Sequence, residues 1–294
     1  MSQNKKFLSY SLMILCSFFV ASSFPIAYEL NKNVPIEVSL FLRFTFSSIF
    51  FLPFILKSKN KLDLSAKTLF KNALVSFFSV SFFIGMFFSL QHTTALKTSS
   101  IYTLMPGFTF FFSLFFLKVL FSKKTLLCFS TALFSSIFII SRGELKLILS
   151  SPNFGDLIFL FATISMAIYN VSSKKLRGNQ SVFHFTFWIL FFSTFYTFLF
   201  YYKELIHFNY SLIEFADIFR IIYLILFCTI FSFFIIQYAT KTIGPSKMSS
   251  FSYLTPVFVY LINLISGKFL FELKYLIPIL SLLVCVIYMN GDKK

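Results

Sequence analysis

Ten long windows of almost uninterrupted apolar residues constrain the fold of this chain more strongly than any other feature. One of them, residues 38–56, reads VSLFLRFTFSSIFFLPFIL. Such windows approach the roughly 20 apolar residues that cross a bilayer core of about 30 Å. Because lipid offers the backbone no hydrogen-bond partners, each window must satisfy its own backbone groups and therefore forms a helix. The sequence predicts an all-α integral membrane protein whose partner is a lipid bilayer.

Breaks at charged residues, Pro, Gly and Asn divide the chain into ten predicted transmembrane spans, numbered 1 to 10. Their predicted ranges are 7–27, 37–56, 70–90, 98–117, 125–141, 155–173, 182–202, 218–240, 247–266 and 272–290. With the N-terminus inside, the inside segments hold seventeen of the 26 Lys and Arg residues and the outside segments hold seven. Loops rich in Lys and Arg stay in the cytoplasm, so this excess predicts cytoplasmic termini. We expect a multi-pass protein of a bacterial inner membrane.

Several other classes of protein are disfavoured by where the polar residues lie. The formal net charge of +16 indicates no nucleic acid partner, because the lysines lie between apolar windows, where membrane orientation accounts for them. The four cysteines lie inside apolar windows without a CxxC pair, which predicts neither a metal site nor a disulfide framework. The ten carboxylates lie at span ends or in loops, and the three histidines are scattered. We therefore expect no enzyme, no cofactor and no metal.

A short stretch of sequence occurs twice. KTSSIYTLMP, at residues 97–106, returns as KMSSFSYLTP at residues 247–256. The first copy enters span 4 and the second enters span 9, five spans later. Because five is odd, the second half must lie in the membrane upside down relative to the first, as in many secondary transporters. The sequence predicts two inverted five-helix repeats, residues 1–146 and 150–294.

Three stretches resemble a known family. The segment GDLIFLFATISMAIYNVSSKKL, residues 155–176, resembles the opening helix of a second EamA domain in the drug/metabolite transporter superfamily. PIEVSLFLRF, residues 35–44, and the repeated S-x-x-x-L-x-P stretches are similar to other parts of that family. The resemblance implies a permease with two tandem EamA domains that usually exports amino acids, related metabolites or drug-like amphiphiles. The chain departs from the family pattern at residues 117–121 and 267–271, which lack a carboxylate, and at Val20 and Met166, where a Trp is common.

Arg43 is a candidate substrate-binding residue, because it lies in span 2, six residues beyond Glu37. Six residues extend a helix by about 9 Å, which carries Arg43 well into the bilayer. A charge at that depth is costly and normally faces protein or a water-filled cavity. It would serve either as a counter-charge for a substrate carboxylate or phosphate, or as a structural residue that contacts helix carbonyls, Glu37 or Glu29.

The remaining candidates are polar residues and prolines near the ends of spans. The candidate lining of a central cavity comprises Ser99, Tyr102, Asn170, Gln237, Ser249 and Tyr253, together with Arg43. Pro106 and Pro256 are candidate helix breaks or gates. Ordinary helix packing is the alternative for each of them, since hydroxyl and amide groups also bond between helices.

The sequence therefore predicts an inner-membrane secondary transporter that moves small organic metabolites by alternating access, in the direction of export. Two alternatives stay open. One is an importer of a nucleotide-like or adenosyl metabolite, and the other is a membrane subunit that does not transport. A homodimer is compatible with the sequence, because small residues serve helix packing within and between protomers alike.

Overall fold

The computed structural model describes residues 3–58, 63–93, 95–119, 122–141, 143–144, 153–265, 267 and 272–291. Within these ranges the protein is helical and has no strand. Ten helices, α1 to α10, are long and apolar enough to cross a membrane, one for each predicted span. Their bounds are Asn4–Leu30, Ile36–Leu56, Ala66–His92, Ser100–Leu117, Lys123–Ile140, Phe154–Leu176, Val182–His207, Phe215–Thr242, Pro245–Ile265 and Leu273–Asn290.

The predicted number of spans is confirmed, while several helices extend beyond their predicted ends. α3 begins at Ala66 because the side chain of Ser65 accepts a hydrogen bond from the backbone N–H of Thr68 and so caps the helix. α7 continues to His207, five residues past its predicted end. The last turns of α7 therefore include charged and polar residues such as Lys203, Glu204 and His207. Long polar side chains in such turns can extend toward the membrane surface.

The two copies of the repeated stretch break their helices at equivalent places. The helix Ala95–Tyr102, which leads into α4, ends in a turn at Thr103 and Leu104 and resumes as Met105–Leu117. In α9 a 3₁₀ segment, Phe251–Leu254, separates Pro245–Ser250 from Thr255–Ile265. Pro106 and Pro256 are each the second residue of the resumed helix, where a missing backbone N–H costs little. Both prolines therefore lie at helix breaks.

Helix packing follows the relationship between the repeats. α2 packs against its equivalent α7, and α5 packs against its equivalent α10. α3 lies along α6, and correspondingly α8 lies along α1. Each of these pairs maps onto itself or onto another when the two repeats are exchanged, so the bundle has an approximate two-fold axis. With five spans in each repeat that axis lies in the membrane plane, which confirms the predicted inverted fold.

Candidate functional site

A small cavity lies between α1, α4, α6, α8 and α9, close to the approximate two-fold axis. Its volume is about 20 Å³, which is about the space that one water molecule needs. The cavity is lined by Met13, Cys16, Ser17, Val20, Tyr102, Met105, Met166, Asn170, Ile236, Met248, Ser252 and Thr255. Four of these helices, α4, α6, α8 and α9, also carry residues that the sequence analysis proposed for a central cavity.

Part of the lining consists of equivalent positions from the two copies of the repeated stretch. Tyr102 pairs with Ser252, and Met105 pairs with Thr255, at the separation of 150 positions that relates the two copies. Both halves of the chain therefore contribute the same turns of α4 and α9 to the cavity. A site in this place is where inverted-repeat transporters hold their substrates, since it can be reached from either side of the membrane in turn.

The lining is rich in sulfur and carries no charged side chain. Five of its residues are Met or Cys, and polar groups come from Tyr102, Asn170 and small hydroxyl residues. Methionine side chains are flexible and polarisable, and they recur at binding surfaces that accept several ligands. Together with a few fixed hydrogen-bonding groups, this composition suits uncharged or zwitterionic amphipathic molecules.

Asn170 is the most distinctive polar group of the cavity. Its side chain is buried, and its Nδ2 atom donates to the sulfur of Met105 at 3.2 Å and lies 3.5 Å from the hydroxyl oxygen of Thr109. Its Oδ1 atom has no hydrogen-bond partner in the described part of the chain. A buried carbonyl oxygen without a partner is costly, so Asn170 offers an acceptor to a bound molecule.

Two of the predicted lining residues, Tyr102 and Asn170, line this cavity, whereas Arg43, Gln237, Ser249 and Tyr253 do not. The ring of Tyr102 packs against Phe24 and Phe82, each with 5.9 Å between ring centroids. Tyr253 instead packs on Phe129 and donates its hydroxyl to the carbonyl oxygen of that residue at 3.4 Å.

The two predicted serines give different results. The buried hydroxyl of Ser249 donates to the Ser246 carbonyl oxygen in the preceding turn, at 3.1 Å, so it serves the helix itself. The side chain of Ser99 lies outside the described part of the structure.

Arg43 is buried in the bundle, with only 1 % of its surface exposed, and it is not part of the cavity lining. Its Nε atom donates to the hydroxyl of Thr229 at 3.2 Å. Its guanidinium lies over the rings of Phe83 and Phe87, at 5.3 and 5.8 Å from their centroids. Nη1 has no partner among the described residues. The sequence analysis offered helix carbonyls, Glu37 or Glu29 as structural partners of Arg43. The observed partners are instead a hydroxyl and two aromatic rings.

Thr229 can meet Arg43 because α8 widens at this level. Residues Leu226–Phe231 form a π-helical turn, a feature that is frequent at functional sites. The hydroxyl of Thr229 donates to the carbonyl oxygen of Leu224, five residues earlier, at 2.8 Å. Its oxygen then remains available to accept from Arg43.

Gln237 belongs to a buried polar network. The sequence analysis missed the charged member of this network, Arg177. Gln237 donates from Nε2 to the hydroxyl of Tyr169 at 2.6 Å and to that of Ser173 at 3.2 Å. Its Oε1 atom accepts a hydrogen bond from Nη2 of Arg177. Arg177 follows α6 directly, and its ring contact with Phe185 places the guanidinium 4.7 Å from the centroid. Burial lowers the pKa of Arg177 to about 10.

Sequence reasoning assigned Arg177 to an inside loop, where its charge served only to orient the chain. The loop in fact folds back over the start of α7, so the side chain is 4 % exposed. The only sequence signal is the adjacent Gly178, whose φ of +60° lies in the left-handed region that favours glycine. That residue permits the reversal that buries Arg177.

The equivalent lysines of the repeated stretch act at opposite ends of the molecule. Nζ of Lys97 lies 3.3 Å from Oδ2 of Asp156, the first-turn carboxylate of α6. Nζ of Lys247 donates to the carbonyl oxygens of Asn290 and Gly291, at 3.2 and 3.3 Å, at the end of α10. A cation is favoured there, because the last carbonyls of a helix carry partial negative charge. Lys97 therefore joins the helix that leads into α4 to the start of α6, and Lys247 joins α9 to the end of α10.

Comparison with known proteins addresses both the fold and the family. A family model described as the EamA-like transporter family matches residues 7–141 and again residues 153–290. Twenty-eight chains of solved structures match. One of them, described only as a crystal structure of a protein, superposes with a TM-score of 0.77 at 13 % sequence identity, over 98 % of this chain and 96 % of its own. That likeness shows the fold. No curated protein matches the chain in sequence.

Proposed function

Because the chain belongs to the EamA-like transporter family, whose model matches both of its halves, we propose that it exports small organic metabolites by alternating access. The substrates are amino acids or related uncharged or zwitterionic compounds. The protein lies in a bacterial inner membrane with both termini in the cytoplasm. The two units that alternate correspond to residues 1–146 and 150–294.

The observation that carries this proposal is the pairing of cavity residues across the two repeats. Tyr102 with Ser252 and Met105 with Thr255 occupy equivalent turns of α4 and α9. Symmetry-related positions around one site allow the same site to open first toward one side and then toward the other. At about 20 Å³ the cavity is too small for a metabolite, so the helices around it must separate for loading.

The chemistry of the lining supports the substrate class. Among the described residues, no carboxylate, Lys or Arg lines the cavity, while Asn170 offers an acceptor and Tyr102 a hydroxyl. Relatives commonly carry a Trp where Val20 and Met166 stand, and these smaller side chains leave a sulfur-rich, adaptable wall in this protein. Such a wall suits several related amphipathic metabolites rather than a single compound.

The structure gives no support to the two alternatives. An importer of nucleotide-like or adenosyl compounds would be favoured by an Arg43 that faces the cavity, yet Arg43 contacts Thr229 and two phenylalanine rings away from the lining. A subunit without transport activity would be favoured if Tyr102, Asn170, Gln237 and Tyr253 all faced lipid, whereas all four are buried.

Flux into proteoliposomes tests the proposal. Purified protein is reconstituted, and a panel of labelled amino acids and nucleotide-like metabolites is presented with and without an imposed pH gradient. Saturable flux of amino acids or related compounds is the expected result. Saturable flux of nucleotide-like compounds alone would move the assignment to the importer. Absence of flux for every compound, from protein shown to be folded, would favour a role without transport.

A further inference from the structure

A second cavity lies at the end of the bundle where α1 begins and α10 ends, apart from the central cavity. It is formed where α6 ends and α7 begins, beside the start of α3, and its volume is about 410 Å³. Its walls include Lys71, Arg177, Gln180, Ser181, His184 and Trp188. The two cavities share no lining residue. The proposed transport reaction assigns no role to this cavity.

Two buried side chains in its wall have nitrogen atoms without partners. Arg177 is 4 % exposed, and its Nε and Nη1 atoms have no hydrogen-bond partner in the described ranges. His184 is 6 % exposed, and the same holds for its Nε2 atom. Leaving charged or polar donors buried and unpaired is costly, and the cost falls when an acceptor enters the cavity. Both residues therefore point to an acceptor-rich ligand.

The start of α7 adds to the positive character of the cavity. The side chain of Ser181 caps this 26-residue helix by accepting from the backbone N–H of His184 at 3.1 Å. The first backbone N–H groups of a helix lack partners within the helix, and its dipole favours negative charge at that end. Arg177, Lys71 and this helix terminus thus all favour an anion in the cavity.

One carboxylate, that of Asp63, stands at the rim of the cavity among the described residues. It is fully exposed, and its oxygens already accept from the backbone N–H of Ser65 at 2.9 Å and the hydroxyl of Thr68 at 2.6 Å. These hydrogen bonds hold the pKa of Asp63 below its usual range. Its charge is screened by water and fixed in a cap, so it does not cancel the buried guanidinium.

We propose that this cavity binds the phosphate group of an anionic ligand, with Arg177 and His184 as direct donors. A phosphate has several strong acceptor oxygens and matches the planar fork of a guanidinium. The phosphate can belong to a lipid headgroup, since the cavity lies at the end of the transmembrane helices, where headgroups lie. Alternatively, it can belong to a soluble compound. Binding would also place an anion next to the Arg177 group that holds Gln237.

Trp188 makes the proposal testable, because it lines the cavity and is the single tryptophan of the chain. The full-length protein is placed in nanodiscs of phosphatidylcholine and titrated with inorganic phosphate while tryptophan fluorescence is recorded. A parallel set of nanodiscs contains increasing phosphatidic acid. Bound phosphate is counted independently, by equilibrium dialysis of radioactive phosphate and by analysis of the phosphatidic acid retained on purification.

A saturable change with inorganic phosphate would identify a soluble ligand, and a change only with phosphatidic acid would identify a lipid. Arg177→Gln should weaken that binding by about tenfold or more, because charge-assisted hydrogen bonds are lost. His184→Phe should weaken it less. Lys175→Gln is the matched control: it removes a charge two residues away, outside the cavity lining, and should leave binding unchanged.

Three results would overturn the proposal. The first is wild-type protein with neither bound phosphate nor retained phosphatidic acid. The second is equal loss of binding in Arg177→Gln and Lys175→Gln, which would indicate general attraction to positive charge. The third is unchanged binding in both Arg177→Gln and His184→Phe, when size-exclusion chromatography and circular dichroism show folded protein. The wild-type titration decides the matter even where a variant does not fold.

Discussion

Phe83 and Phe233 stack on each other at equivalent positions of the two repeats, with ring centroids 5.8 Å apart and planes 21° from parallel. Phe83 lies in α3, and Phe233 lies in the equivalent helix α8. The stack joins the repeats directly on their approximate two-fold axis. The same axis orders the cavity residues, so changes near it should separate effects on transport from effects on folding.

Asn170 should contribute to transport and little to folding. Replacing it with Leu removes the free acceptor in the cavity and also a costly unpaired oxygen. We expect kcat/KM for the transported compound to fall about three- to tenfold, since a neutral hydrogen bond contributes about 0.5–1.5 kcal/mol. Ser172→Ala on the same helix, away from the cavity, is the control. Unchanged flux in Asn170→Leu would contradict the assigned site.

The contact of Arg43 with Thr229 should be structural. Thr229→Val leaves the buried guanidinium without its hydroxyl partner, and we expect the free energy of unfolding in detergent to fall by about 1–3 kcal/mol. Adding Arg43→Met should recover part of this loss, because the charge that lacks a partner is removed as well. Denaturant titration of the two single variants and the double variant measures the coupling. A Thr229→Val protein with normal stability and a raised KM would instead make Arg43 a substrate counter-charge.

Gly85 should be required for the close approach of α3 and α6. A Cβ atom at this position would lie 2.7 Å from the Cβ of Ala162, which is far inside van der Waals contact. Gly85→Ala should therefore lower stability by about 1–3 kcal/mol. Gly107→Ala is the matched control: nothing lies within 4 Å of the added methyl group, and the helix should gain up to about 1 kcal/mol.

Thermal unfolding of these glycine variants provides the measurement. Ala162→Gly, introduced together with Gly85→Ala, should restore part of the lost stability by vacating the overlapping space. Equal behaviour of the Gly85 and Gly107 variants would show that the helices do not pack in this way.

The ion pair of Asp156 with Lys97 should matter far more than the pair of Glu29 with Lys32. Asp156 is 13 % exposed and also accepts from Thr93 and from the backbone N–H of Asn153 in a capping box. Asp156→Ala should cost about 1–3 kcal/mol of stability. Glu29 is 48 % exposed, and Glu29→Ala should change stability by less than about 1 kcal/mol. A ranking of melting temperatures in the reverse order would refute this.

Both termini are predicted to lie in the cytoplasm, from the excess of Lys and Arg in alternate loops. A green-fluorescent reporter fused to the C-terminus should fluoresce, and alkaline phosphatase fused after Asn209, between α7 and α8, should be active. Fusions at the same two places with the reporters exchanged serve as controls. Active phosphatase at the C-terminus would reverse the orientation without changing the fold.

The sequence was sufficient for the number of spans and for the two helix breaks, because both depend on local properties. Runs of apolar residues specify helices in lipid, and the repeated prolines, Pro106 and Pro256, specify where two helices resume. The fold class followed from these two observations alone. Tertiary information was needed only to fix which helices pack together.

The candidate site was predictable only in part. The type of a residue can be recognised in the sequence, but whether it faces the cavity depends on its position in the folded bundle. Tyr102 and Asn170 are polar residues in apolar spans and drew attention on that ground. Met105 and Thr255 could not be found in this way, since they differ in kind and share only an equivalent place in the backbone. Arg177 was missed because the burial of a loop residue depends on how the loop folds. The distribution of Lys and Arg over alternate loops predicts the orientation of the chain, but not the conformation of a loop.

Among the described residues, the polar network around Gln237 has no counterpart in the first repeat. The position equivalent to Gln237 is Phe87, whose side chain can neither donate nor accept such hydrogen bonds. In the proposed transport cycle, exchanging the roles of the repeats would therefore give an arrangement without this network. On that proposal the two orientations of the empty carrier would differ in free energy, and one of them would be the more populated.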